Sequence, residues 1–249
     1  MDIPDLPKKC PAIILAGGLG TRLRSAYDRG PKCMAPVGGL PFLEYLLLWL
    51  QSAGVQELIL CVGYKRSQIQ NWLGEGSRLG VNVTYSGEKK LLGTAGALKH
   101  AQHLVTAESF FVLNGDSFLS VDLGEMYRYH MLRRALATVA VVQQPRSARY
   151  GTVQVDRYGR IEAFREKNSD LGLMNGNDFQ LINGGVYIMQ REFLELIPCD
   201  KAASLEKEVF PSLVGTTLYG FVTNSYFIDI GIPADFERAQ SELPERFTA

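Results

Sequence analysis

Apolar positions recur along this chain in two alternating periods, and the alternation predicts its architecture. Ala12-Ile13-Ile14-Leu15-Ala16 is an unbroken apolar run of strand length, as a parallel strand covered on both faces requires. From Pro41 the spacing turns helical: Phe42, Leu43, Leu46, Leu47 and Leu50 share one face, and Gly54 closes the helix. A second strand over Glu57 to Val62 completes a βαβ unit. The same alternation gives a short helix over Ser67 to Leu73, a strand over Val81 to Tyr85, a helix over Thr94 to Leu104 and a strand over Ser109 to Leu113. Strands alternating with helices of these lengths predict an α/β fold with a doubly wound, mainly parallel sheet and ligands at the carboxyl ends of its strands.

The pattern changes after Ala135 to Gln143, which continues the sheet. Arg149 to Val155 and Ile161 to Lys167 alternate in period two around Tyr158-Gly159, the signature of a hairpin that could cover a site. Leu181 to Ile188 reads as a strand entered through a glycine bulge. Helices are expected over Arg191 to Ile197 and Ser204 to Val214, a strand over Leu218 to Thr223, and a last helix over Pro233 to Leu243 with proline in its first turn.

Composition narrows the function. In 249 residues, 26 Lys plus Arg balance 26 Asp plus Glu, so there is no global basic field to attract nucleic acid. The four cysteines are scattered with no C-x-x-C pair, which points to reduced thiols in a cytoplasmic protein. The first residues carry no signal-peptide core, and no stretch approaches a membrane span. His100, His103 and His130 lack metal-ligand spacing and are expected at helix surfaces or edges. No serine sits in a Gly-x-Ser-x-Gly elbow, so covalent catalysis is not indicated.

Chemistry concentrates where the first strand ends. Leu15-Ala16-Gly17-Gly18-Leu19-Gly20-Thr21-Arg22-Leu23 places a glycine loop after a buried strand, and its bare N–H groups can curl around a phosphate. A Walker A loop would need Gly-Lys-Ser/Thr, and Gly20 is followed by Thr21-Arg22. A dinucleotide fingerprint would need a third glycine where Leu23 stands and an acid after Val62, and both are missing. Backbone donors, the fork of Arg22 and the compact charge of Lys32 together suit a triphosphate. Asp116 closes the strand at Phe110 to Leu113, and Asp229 precedes Gly231 far downstream; a carboxylate at such a place can hold Mg²⁺ against phosphates.

The opening motif with Pro31-Lys32 closely resembles the signature of the sugar-1-phosphate nucleotidyltransferases, and the likeness runs in motif order to about Phe236. It implies a single domain over 1–249 of the nucleotide-diphospho-sugar transferase type: a Rossmann-like nucleotide-binding part at about 11–145, a β-rich sugar-binding insertion at about 146–225, and a C-terminal part at 226–249. Leu15, Ala16, Gly17, Gly18, Gly20 and Thr21 would hold the nucleotide, and Glu88, Gly93 and Thr94 would read its base. Leu-Gly-Thr-Ala-Gly at 92–96 resembles the guanylyltransferase form. Hydrogen-bond capacity points the same way, since a Glu88 carboxylate could accept from both N1–H and the N2 amino group of guanine; Glu88-Lys89-Lys90 also reads as a solvated charge run. Asn114, Tyr150, Gly151, Glu166 and Asn183 would meet the sugar, although Asn168 stands where the family has proline and Gly184 where many relatives have alanine. Glu206 fits equally a first-turn acid or a sugar ligand.

The implied reaction is attack by a sugar-1-phosphate oxygen on the α-phosphorus of a nucleoside triphosphate, with loss of pyrophosphate. Asp116 and Asp229 would share Mg²⁺, while Arg22, Lys32 and Lys167 neutralise charge. In compact length, in Ile182 to Tyr187 and in the ending Phe227 to Pro233 the chain resembles the family's heptose 1-phosphate guanylyltransferases, a likeness that implies GTP and a heptose 1-phosphate, with mannose 1-phosphate, or a uridylyl or thymidylyl transfer to a hexose 1-phosphate, as alternatives. A non-catalytic relative that binds a nucleotide-sugar would be expected to have lost one of Arg22, Lys32, Asp116 or Asp229, and all four are present. A homo-oligomer is compatible with the sequence.

Overall fold

The structure is a computed structural model that describes residues 6–7, 10–145, 150–165, 179–199 and 201–247. In chain order its elements are β1 (Ala12–Ala16), the two-residue strands β2 (Pro36–Val37) and β3 (Leu40–Pro41), α1 (Phe42–Ser52), β4 (Glu57–Val62), α2 (Arg66–Leu73), β5 (Asn82–Gly87) and α3 (Gly93–Ala101). There follow β6 (Ser109–Asn114), β7 (Ser117–Leu119), α4 (Leu123–Arg133), β8 (Ala137–Pro145), β9 (Thr152–Val155), β10 (Ile161–Arg165), β11 (Phe179–Gln190), β12 (Leu218–Thr223), β13 (Phe227–Asp229) and α5 (Pro233–Glu245).

The central sheet runs β10-β9-β11-β6-β1-β4-β5, with β8 also on β11 and β12 on β8. Strands β6, β1, β4 and β5 are parallel, so their carboxyl ends lie together, with Leu15 beside both Cys61 and Asn114. β11 enters antiparallel, pairing with β8 and, past Val186, with β6. Its register breaks between Asn183 and Tyr187, where Gly185 takes a φ of 74° that side chains rarely adopt.

Successive residues of a strand face opposite sides, and both sides of this sheet are covered. Ile14, Leu60 and Phe111 pack in one core with Leu46 and Leu47 of α1 and Leu243 of α5. Ile13, Ile59 and Val112 point the other way, toward Leu98 of α3, Phe193 and Phe210. The unbroken apolar runs thus follow from two cores served by one sheet.

Three expectations change. Arg191–Leu196 is a 3₁₀ helix, and Ser204 to Val214 is a π turn over Leu205–Val209 followed by a 3₁₀ turn over Phe210–Leu213. Pro211 has no N–H to give the Lys207 carbonyl, so an α-helix cannot continue through it. α4, absent from the sequence reading, carries His130 inward rather than at a surface. The ring is fully buried, with Nδ1 2.9 Å from the Thr138 hydroxyl and Nε2 2.9 Å from the Gln190 amide, and burial pushes its pKa down to about 4.

Candidate active site

Two cavities open at the carboxyl ends of the parallel strands and share Arg22, Asn114 and Asp116. The first, of about 520 Å³, is lined by the turn from Leu15 through Arg22, by Lys32, Glu88, Gly93 and Thr94, and by Asp116. Its shape depends on absent side chains. A β-carbon on Gly17 would collide with Glu88 Oε1, and one on Gly63 would stand 2.7 Å from the same atom. Gly20 has a φ of 59° and leaves no more than 3.0 Å between such a carbon and Lys32 Cβ. The sequence-predicted loop residues Leu15, Ala16, Gly17, Gly18, Gly20 and Thr21 therefore line one wall.

Glu88 stands just past β5, with its carboxylate against the glycine loop at Gly17. Its Oε2 accepts from the Leu92 N–H at 3.2 Å, and partial burial raises its pKa against the smaller opposing effects of that hydrogen bond and His100. Held this way, the carboxylate lines the cavity with Oε1 beside Gly17 and Gly63. The reading of Glu88-Lys89-Lys90 as a solvated run fits only the two lysines, which are exposed.

Where the cavities meet, Lys32 Nζ lies 2.6 Å from Asp116 Oδ2 and 3.4 Å from Asp229 Oδ1. The two aspartates arrive from different directions: Asp116 follows β6, and Asp229 ends β13, which pairs antiparallel with β7 so that Asp229 faces Ser117. The Gly231 N–H donates to Asp229 Oδ1 at 2.6 Å, and a β-carbon on Gly231 would stand 2.7 Å from that oxygen and 3.0 Å from Lys32 Nζ. This is a small cradle with two hard oxygen donors around one cation. Among the described residues no cluster of three or more His, Cys, Asp or Glu could hold a metal. Two carboxylates are nevertheless what Mg²⁺ takes from a protein when phosphates and water complete its shell, so the donor set fits.

The second cavity, of about 590 Å³, brings Tyr150, Gly151 and Asn183 together with Asn114, as the resemblance implies. Glu166 and Lys167 lie outside the described residues. Asn183 is also structural: its Oδ1 accepts from the Gly185 N–H at 2.9 Å, and its amide donates to the Tyr187 hydroxyl at 2.9 Å. Tyr187 in turn donates to Glu206 at 3.0 Å, and burial followed by the Glu206 charge holds its phenol well above the usual pKa. Glu206 also accepts from Thr94 at 3.2 Å and Ser204 at 3.0 Å. It therefore ties helix α3 to the bulge of β11.

Ser117, Phe164, Lys207 and Phe227 line this cavity as well and were not singled out by the sequence. Lys207 follows Glu206 in a segment already placed near the sugar, so charge adjacency could have found it. Ser117 and Phe227 stand on β7 and β13, strands too short to show a period, and Phe164 reads from its alternation only as a face of the hairpin.

With this geometry in place, comparison with known proteins identifies the fold's kin. The nucleotidyl transferase family model matches residues 11–246, from the approach to β1 through α5. The chain belongs to that family. It is 40% identical over 233 residues to D-glycero-alpha-D-manno-heptose 1-phosphate guanylyltransferase of Aneurinibacillus thermoaerophilus, covering 93% of this chain and 97% of the relative. Mannose-1-phosphate guanylyltransferase of Mycobacterium tuberculosis is 35% identical, covering 93% of this chain and 64% of that longer protein. The crystal structure of HddC from Yersinia pseudotuberculosis complexed with GMP-PN superposes with a TM-score of 0.82 at 33% identity, covering 96% of this chain and 99% of the other. Nucleotidyltransferases of this family generally use a divalent metal. No described helix is long and apolar enough to cross a membrane.

Proposed function

We propose that this chain transfers GMP from GTP to D-glycero-α-D-manno-heptose 1-phosphate, releasing pyrophosphate and forming GDP-heptose. The observation that carries the reading is the meeting of two cavities at Arg22, Asn114 and Asp116, one walled by the glycine loop and Glu88, the other by Tyr150, Asn183 and Glu206. Near-complete coverage of a compact heptose 1-phosphate guanylyltransferase at 40% identity supports the sugar. The guanine nucleotide bound to HddC supports the base.

In this mechanism an oxygen of the sugar 1-phosphate attacks the α-phosphorus of GTP in line with the departing pyrophosphate. The attacking oxygen is already ionised, so no protein nucleophile is required, and catalysis consists of positioning and charge neutralisation. The glycine-loop N–H groups and Arg22 hold the β and γ phosphates. Lys32 swings its ammonium from Asp116 toward the α-phosphate, where negative charge builds. Glu88 accepts from the guanine N1–H and N2 amino group, and Gly93 and Thr94 back the ring. Tyr150, Gly151, Glu166 and Asn183 orient the sugar while Lys167 steadies its phosphate. Asp116 and Asp229 would hold Mg²⁺, which when bound supplies further neutralisation of the phosphates. Buried free thiols at Cys10, Cys33 and Cys61 support a reducing cytoplasmic setting.

The test is pyrophosphate release with Mg²⁺, crossing GTP, UTP, dTTP, CTP and ATP against heptose, mannose and glucose 1-phosphates. GTP with the heptose is the expected pair. A mannose 1-phosphate preference would favour the second reading, which the 35% identical mannose-1-phosphate guanylyltransferase supports. Nucleotide binding without release from any sugar phosphate would leave a binding protein instead.

A further inference from the structure

Three hydroxyls hold the Glu206 carboxylate. Tyr187 donates to its Oε1 at 3.0 Å, while Thr94 and Ser204 donate to its Oε2 at 3.2 and 3.0 Å. Each hydroxyl has a single proton to give, and three protons take up most of what a carboxylate can accept. Glu206 lines the second cavity, yet its oxygens are engaged with the protein itself. The bonds beyond Tyr187 then have their direction fixed at both ends. An ionised carboxylate can only accept, so the phenol proton belongs to Glu206 and the phenol oxygen accepts from its other neighbours. Those are Asn183 Nδ2 at 2.9 Å and Asn114 Nδ2 at 3.5 Å. At the far end the Gly185 N–H, which can only donate, gives its proton to Asn183 Oδ1 at 2.9 Å. Tyr187 is fully buried, so reversing one of these bonds leaves a donor or an acceptor unpaired out of reach of water.

Asn183 has a second anchor in Gly185, whereas the Asn114 side chain has the phenol as its one hydrogen-bond partner among the described residues. Both asparagines line the second cavity, and Asn114 lines the first as well. An asparagine amide has nearly the same shape either way round, so hydrogen bonding alone decides which end is acceptor and which is donor. With its NH₂ turned to Tyr187, Asn114 keeps its carbonyl oxygen and one N–H for a substrate. We infer that Glu206 is a positioning residue: through the Tyr187 hydroxyl its carboxylate sets which way the Asn114 amide faces in the second cavity, and it does not itself bind the sugar. The inference rests on the reaction proposed above. A substrate whose donors and acceptors match one orientation of an amide is mismatched to the other, so the carboxylate contributes to sugar binding from one residue further away.

Glu206→Gln keeps the shape and changes the count of acceptors. Thr94 and Ser204 together claim the single carbonyl of the glutamine, so its NH₂ falls on Tyr187, and the phenol passes its proton to Asn114, the amide that is free to turn. The KM for the heptose 1-phosphate should rise about tenfold, the worth of one hydrogen bond, while the KM for GTP stays within about twofold of wild type. Tyr187→Phe keeps the ring against Phe210, 5.4 Å away between centroids, and releases the amides, so it should raise the sugar KM by a similar factor. Because Glu206 acts through the phenol, the double variant should match Tyr187→Phe alone. Initial rates measured below the Tm of every variant keep loss of folded protein out of the comparison. Equal rises in both KM values, an unchanged sugar KM in Glu206→Gln, or single effects that multiply in the double variant, as they would if Glu206 touched the sugar directly, overturn the inference. Should Tyr187→Phe fail to fold, the split between the two KM values in Glu206→Gln decides alone. A wild type that uses no sugar 1-phosphate overturns both readings, whereas an active wild type matched by Glu206→Gln overturns this one alone.

Discussion

Gly17 and Gly63 both face Glu88 Oε1, and a β-carbon at either position would crowd it. That residue-scale fact makes two expectations. Gly17→Ala should push the Glu88 carboxylate out of place and raise the KM for GTP by an order of magnitude or so, with a smaller change in the sugar KM, as initial-rate kinetics would show. Glu88→Gln keeps the shape but turns one of two acceptors into a donor facing guanine donors, so GTP should lose its advantage over ATP. The pH response follows in sign. Burial raises the Glu88 pKa in the free protein, and guanine binds the ionised form, so GTP affinity should weaken as pH falls through that raised value. Titration calorimetry across mildly acidic pH should show this slope in wild type and lose it in Glu88→Gln. An identical slope in both would remove Glu88 from base recognition.

Elements were legible in proportion to their apolar period. β1, β4, β6 and α1 stand where unbroken or helical runs predicted them, because each buries a face that only apolar residues can fill. α4 escaped for a specific reason: its inward face is Leu123, Met126, Tyr127 and His130, and a histidine at a core position reads as polar. The site divides the same way. The glycine loop was readable because Gly17 and Gly20 leave no room for a side chain, and the strand-end aspartates because each closes an apolar run. The Glu206 network was not, because the sequence shows a glycine bulge in β11 without showing which side chains that bulge brings together. The buried His130 carries its own consequence for stability. Its pKa is depressed to about 4 when folded and returns to about 6.5 in the unfolded chain, so the unfolded state binds the extra proton between those values. Stability from this residue is complete above pH 6.5 and is lost as pH falls toward 4, a difference on the order of 3 kcal/mol. Urea titrations at pH 7 and pH 4.5 should show a drop in wild type that His130→Gln largely removes, and equal drops would exonerate the histidine.

At the scale of the whole molecule, the chain builds its centre from distant parts. The end of β6 supplies Asp116, the β13 return supplies Asp229, and the turn after the glycine loop supplies Lys32, whose ammonium both carboxylates share. The lysine therefore fills, in the free protein, the electrostatic role that the proposed Mg²⁺ would take over when the triphosphate draws Lys32 away. Replacing it separates the two roles. Lys32→Met should lower turnover by about 10²-fold or more, as removal of other preorganised charge-stabilising groups does. It should also lower the Tm of the ligand-free protein by about 2–4 °C, since two carboxylates from distant parts of the chain lose their common cation. Adding Mg²⁺ without nucleotide should recover that loss in Lys32→Met and change wild type little, because in wild type the ammonium competes for the same oxygens. Asp229→Asn in the Lys32→Met background should remove the Mg²⁺ recovery. Differential scanning calorimetry of the three proteins with and without Mg²⁺ decides the matter: recovery of equal size in wild type and Lys32→Met would show that lysine and metal do not compete for one place.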